Sequence, residues 1–320
     1  MFTEIITIII INIFFYARTI KYGCVSDDLA VVKRAEKYPK ANLLTKILLE
    51  WRNRAFFSLK RSHAISMVIH TLNCILILYA FKGQVGFLTA CLFAVNPANE
   101  QGSIWMSGRN YARTTTIVLI IWIFKPLFLL LYPISFMESF AGLPLVIIML
   151  TTEYWWQAAL LPILGLIFYP FTKQLINRMK GKAKTATPLM KSWHPRKIVL
   201  HFKTIWYYLI PLGLFPTRLA MYPNYMYTWG VSVKDNKYWL SFNKHFWWGL
   251  LTSIILWTLI IINWGNGIGF GLFWWYCFIT LWCHYPITMH QAVGTRYGYL
   301  ANVGLMYALA TFILEVDKWF

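Results

Sequence analysis

SHAISMVIHTLNCILILY, residues 62–79, is an apolar run without a single Lys, Arg, Asp or Glu, and it decides the fold class. A bilayer core takes about 20 apolar residues as a helix, so the run reads as a membrane span. It also carries His63, His70 and Asn73 at i, i+7 and i+10, which lie on one helical stripe. Polar groups inside a span face the bundle interior or a cavity. Here they either hydrogen-bond between helices or take part in chemistry.

The rest of the chain has the same character. Hydrophobic residues make up 58% and charged residues 13%, and mean hydropathy is +0.52. Those values exclude an ordinary soluble domain and fit a polytopic membrane protein. Spans are predicted over 2–19, 64–82, 84–96, 111–134, 140–152, 155–172, 204–222, 246–264, 266–284 and 298–315, about ten in all, with 84–96 and 140–152 short. Helices are the expected element, because the bilayer demands internally paired backbone groups and no alternating barrel pattern is present. The expectation is therefore an all-α integral membrane protein, one membrane domain over 1–320. MFTEIITIII at the start lacks the basic region of a secretory signal, so it is expected to stay as the first span. Cys24, Cys74, Cys91, Cys277 and Cys283 form no CxxC pair, which argues against a zinc site or a disulfide framework.

Orientation follows from charge. FTKQLINRMKGKAKTATPLMKSWHPRK, 171–197, is rich in Lys and Arg and holds no acid, so the loop 171–203 is expected on the cytoplasmic side. Alternating spans from that anchor put 20–62, 96–110, the turn around Glu153, 223–245 and 285–297 together on the outer face. Segment 31–61 resists this, since Lys33, Arg34, Lys37, Lys40, Lys46, Arg52, Arg54, Lys60 and Arg61 make it equally basic. Within it, NLLTKILLEWRNRAFFSL repeats Leu and Phe at helical spacing between cations, the pattern of an interfacial amphipathic helix in the external loop 20–62. Its cations either hold phosphate headgroups or merely snorkel.

Two loops concentrate polar chemistry. In LFAVNPANEQGSIWMSGRNYARTTTIVL, 92–119, Pro97 and Gly102 interrupt the apolar run and Glu100, Arg109 and Arg113 follow closely. Arg suits two-point binding of phosphate oxygens, although these two can equally hold Glu100 in place. In HYPITMHQAVGTRYGYLANVGL, 284–305, His284, His290, Arg296, Tyr297 and Tyr299 cluster ahead of the last span.

These pieces resemble a known family. SHAISMVIHTLN followed by LFAVNPANEQGSIWMSGRNY is similar to the second and third spans of the transmembrane O-mannosyltransferases that carry tetratricopeptide repeats. LTTEYWWQAALLPILGLIFY, 150–169, resembles that family's next landmark, an acid at the start of a span. TRYGYLANVGL resembles its late Arg-Tyr signature, and YGCVSDD, 22–28, falls where the family keeps its acidic motif. Order and spacing agree over nearly the whole chain. The departures are Thr295 before the Arg-Tyr pair, Thr152 before Glu153, and the lack of any repeat with a period of about 34 residues.

The resemblance implies a GT-C-like glycosyltransferase that takes a sugar, a mannose-like hexose first, from a polyprenyl-phosphate carrier. The acceptor is a hydroxyl on protein or glycan. The site is expected on the outer or lumenal face of a cytoplasmic or endoplasmic reticulum membrane. An inverting transfer needs a base for the acceptor proton and cations for the departing phosphate. Asp27 or Asp28 is the expected base. The pair can also cap a turn, and adjacent side chains cannot share one job. Arg296, Arg109 and Arg113 are the phosphate candidates, with Glu100, Glu153, His70, His290, Tyr297 and Tyr299 in support. No cofactor is required; a divalent metal on the acids is possible and less favoured, because Arg neutralises a monophosphate. Competing expectations are a noncatalytic membrane subunit and a transporter or flippase of a lipid-linked substrate. The net charge of +19 is spread along membrane-flanking segments, so membrane lipids fit as partners better than nucleic acid. Whether a partner subunit joins the chain is left open by the residues.

Overall fold

The computed structural model describes residues 1–21, 59–104, 108–132, 142–161, 197–214, 242–280, 283 and 295–317. For Leu59, Lys60, Glu100, Gln101, Lys197, Leu212, Thr295 and Arg296 it describes the backbone alone. The predicted amphipathic helix at 42–59, apart from Leu59, and the part of the basic loop 171–203 before Lys197 fall outside these residues, as do Asp27, Asp28 and His290.

All regular structure among the described residues is helical, with no strand. Helix α1, Phe2–Tyr16, runs into a 3-10 turn, Ala17–Lys21. It buries Ile8, Asn12 and Tyr16 on one stripe and exposes Phe2, Ile6, Ile10, Ile13 and Phe14 on the others. A helix apolar all round belongs in a membrane or a deep core, and here the outward face is too large for water. Helices α2, Leu59–Phe81, and α3, Gly83–Val95, form a hairpin. Its reversal uses the left-handed region at Lys82 (φ 51°) and Gly83 (φ 61°), a conformation that Gly adopts without strain.

Pro97 ends α3: it has no N–H to continue the ladder, and the residue before it, Asn96, is extended (ψ 113°). A 3-10 turn, Pro97–Asn99, and one turn of helix, α4, Glu100–Ser103, follow. Helix α5, Arg109–Ile123, ends at Phe124, and the next helical stretch, Lys125–Tyr132, turns away by 103°. The predicted run 111–134 is thus two helical pieces with a sharp bend between them. Pro126 is the cause, because it removes a backbone donor and disfavours helical geometry just before it.

Four shorter pieces complete the middle and late chain. Helices α6, Gly142–Met149, and α7, Trp155–Ala159, flank the turn at Glu153. Helix α8, Lys197–Leu209, loosens into a π-turn, Ile210–Leu214, at Pro211 and Gly213. Helix α9, Lys244–Ile262, starts on Asn243, whose Oδ1 accepts from His245 N at 3.2 Å. Helices α10, Gly267–Thr280, α11, Thr295–Gly298, and α12, Ala301–Val316, close the order.

Described helix falls within each predicted span, in 155–172 only over Trp155–Ala159. Among the described residues three are long and apolar enough to cross a bilayer: Phe2–Lys21, Arg61–Phe81 and Lys244–Ile262. The broken α5 unit is a fourth if its two parts count as one. Helix α6 has 8 residues, a length of about 12 Å at 1.5 Å per residue, so by itself it cannot cross a core of about 30 Å.

The tightest crossing joins α10 to α12, antiparallel. A Cβ placed on Gly271 would lie 2.5 Å from Gly304 O, and one on Gly267 would lie 2.5 Å from Thr311 Oγ1. Small residues let the two backbones touch, which is how apolar helices gain van der Waals contact when lipid offers no hydrophobic drive. Trp274 Nε1 donates to Leu300 O at 3.2 Å, which sets the end of α10 beside Tyr299. Helix α12 also lies on α3, α2 lies on α5, and α8 lies on α9.

Candidate functional site

The polar stripe predicted on α2 lies inside the bundle. His63, His70 and Asn73 are buried, and so are Ser62 and Ser66 on the same face. His63 Nδ1 donates to Ile104 O at 3.0 Å, the direction fixed because a carbonyl can only accept. Asn73 Nδ2 donates to Ala112 O at 2.9 Å and to the Tyr299 hydroxyl at 3.3 Å, while its Oδ1 accepts from Thr116 Oγ1 at 2.7 Å. The Tyr299 oxygen accepts from Asn73 and is also hydrogen-bonded to His70 Nδ1, 2.5 Å away. His70 Nε2 is buried.

Tyr299 is the centre of this end of the molecule. It is fully buried, with the ring edge-on to Phe93 at 5.1 Å and to His70 at 5.7 Å. His70 in turn stacks on Phe93 at 5.5 Å and meets Tyr16 edge-on at 4.9 Å. Any side chain at Gly102 would collide with the Tyr299 ring, so the glycine in the loop after α3 is what lets that ring close the site. Tyr297 is buried and sits edge-on to Tyr111 at 5.5 Å.

Arg109 is 1% exposed. Its Nε donates to Ser66 Oγ at 2.9 Å and its Nη2 to Ser62 O at 2.6 Å, which braces α5 against the start of α2. Arg113 Nη2 donates to Asn110 Oδ1 at 2.8 Å. Charge-assisted bonds of this kind hold a buried guanidinium that would otherwise be costly to desolvate.

The chain thus brings together Arg109, Arg113, His70, Tyr297 and Tyr299, with the backbones of Glu100 on α4 and Arg296 on α11, which pack on each other. It does not bring Glu153. That carboxylate is exposed and lies within electrostatic reach of Lys125, past the opposite end of α5 from Arg109. Glu153 and Arg109, expected to share a face, lie toward opposite ends of α5.

His201 Nδ1 lies 3.2 Å from Cys283 O, just beyond α10, so α8 starts at the same end as Tyr299. His245 feels both Lys203 and Lys244, so α9 starts there too. Lys197 and the polar site therefore share an end, contrary to the alternating count from 171–203. Among the described residues no three of His, Cys, Asp and Glu gather at one point.

Sequence reasoning missed Ser62, Ser66, Asn99, Asn302 and Thr116. Ser62 and Ser66 precede His70 by whole turns, so extending the stripe backwards along α2 would have found them. Asn99 and Asn302 are far apart in the chain, and only folding joins them.

No known protein family, curated protein or solved structure matches this chain.

Proposed function

We propose that the chain is an integral membrane glycosyltransferase that moves a mannose-like hexose from a polyprenyl-phosphate carrier to a hydroxyl on a protein or glycan. One observation carries this reading: the segments bearing Glu100, Arg109, Arg113, Arg296, Tyr297 and Tyr299 converge on one polar end of an otherwise apolar bundle. The motif resemblance described above supports the donor class, and the GT-C-like arrangement of about ten spans belongs to the same proposal. In the transfer, the acceptor oxygen forms a bond to the anomeric carbon as the bond to the carrier phosphate breaks. Asp27 or Asp28 takes the hydroxyl proton, and Arg296 steadies the phosphate as it leaves. Arg109, tied to Ser62 and Ser66, holds the frame on which that phosphate rests.

The test is sugar transfer in isolated membranes from polyprenyl-phosphate hexoses, with Asp27→Asn, Asp28→Asn and the double variant. At least one single variant should lose transfer by about 100-fold or more, the usual worth of a general base. Wild-type rates in all three end the proposal.

A second reading is favoured by a different feature. A lateral cleft of about 690 Å³ runs between α8, α9, α10 and α12, from the stacked Trp206 and Trp248 to Asn263 and Glu315. Its long apolar wall suits a lipid tail, as a flippase of a lipid-linked substrate requires. Movement of a lipid-linked sugar across vesicles without transfer to any acceptor would favour this alternative.

A further inference from the structure

Three rungs tie the loop after α3 to the start of α12. Asn96 Nδ2 lies 3.6 Å from Met306 Sδ, Asn302 Nδ2 donates to Asn99 Oδ1 at 3.1 Å, and Gly102 lies against the Tyr299 ring. Positions 96, 99 and 102 advance one tight turn at a time while 306, 302 and 299 run backwards, so the two segments are antiparallel, turn upon turn. The middle rung is the polar one. Asn99 is 0% and Asn302 2% exposed.

Asn99 is gripped from both sides. Its Nδ2 donates to Phe93 O at 2.8 Å, and its backbone oxygen accepts from Ser103 Oγ at 2.9 Å. Because the Phe93 carbonyl can only accept, Oδ1 is left to face Asn302, and the clasp has one orientation. Two apolar residues of similar shape would stabilise a buried contact at least as well. What a buried amide pair adds is a single register, since any slip leaves its donor and acceptor unpaired. Glu100 directly follows Asn99, and Arg296 lies on α11, just upstream of Asn302, with α11 packed on α4.

We propose that Asn99 and Asn302 are positioning residues: their amide clasp sets the backbone that carries Glu100 against the backbone that carries Arg296. This rests on the glycosyl-transfer reading. The experiment measures kcat and KM for polyprenyl-phosphate mannose and polyprenyl-phosphate glucose in membranes, for wild type, Asn99→Ala, Asn302→Leu and Asn99→Ala/Asn302→Leu. Each single variant should lower kcat/KM about ten-fold or more, as small misplacements near a reacting centre do. The double should lose no more than the worse single, because both remove one interaction. Asn302→Leu keeps the volume but leaves Asn99 Oδ1 without its donor, so its unfolding midpoint in detergent should drop modestly and stay above the assay temperature, where the protein remains folded while transfer falls.

Unchanged kcat/KM in Asn302→Leu, losses that multiply in the double, or losses that merely follow unfolding would each overturn the clasp's role. No transfer by the wild type from either donor would instead sink the glycosyl-transfer reading, and the clasp's role with it.

Discussion

Helix α12 is held in two unlike ways along its length. At its start, Tyr299, Asn302 and Met306 are gripped through hydrogen bonds and ring contacts by α2 and by the loop after α3. On its other face, Gly304 and Ala308 meet Gly271 of α10 backbone to backbone, and the Thr311 side chain lies on Gly267. The first grip specifies one arrangement, because each polar group has one fitting partner. The second supplies close contact but little direction, since small residues tolerate sliding. A membrane bundle built from apolar helices needs both: adhesion from the seam, and register from the polar end.

The largest test of this contrast asks whether the polar end is one end at all. Cysteines placed at Lys21 and Ile198 should react with an impermeant maleimide from the same side of sealed cells, and one placed at Glu153 only from the other. Lys21 and Ile198 reacting from opposite sides would restore the alternating count and break the arrangement around His201 and Cys283.

Next is the seam. Gly271→Leu drives a side chain into the Gly304 backbone and should cost about 3 kcal/mol, read as unfolding in a detergent titration. A tolerated Leu at that position would mean that α10 and α12 do not meet there.

The smallest effect is at the polar end. Tyr299→Phe keeps the ring and removes one hydroxyl, so it should cost only about 1 kcal/mol in the same titration, the usual worth of a hydrogen bond between membrane helices. Asn73→Ala combined with it should add less than its separate effect, since the two share a bond. Full additivity would separate Asn73 from the Tyr299 network.

Much of this was legible in the residues. The α2 stripe of His63, His70 and Asn73 follows from helical spacing alone, and its placement inside the bundle follows from the cost of polar groups in lipid. Of the two uses open to that stripe, all three side chains make hydrogen bonds to other elements. Alternating spans put 96–110 and 285–297 on one face, and the fold joins the start of the first to residues just past the second through Gly102, Tyr299, Asn99 and Asn302. The break at Phe124 was signalled by Pro126 but is hidden by the apolar residues around it, since hydropathy does not register a missing N–H. The side assigned to Glu153 depended on counting α6 as a crossing, and a run of apolar residues does not say whether its helix reaches across.

By itself the sequence determined that this chain is helical, apolar on its outer faces and polar at selected loop ends, because hydropathy and periodicity are local properties of neighbouring residues. Only the tertiary structure decided which loops share an end, that Arg109 is braced by two serines, and that Asn99 meets Asn302. Those are contacts between segments far apart in the chain, and they depend on how many times the chain crosses and on where small residues let the helices close.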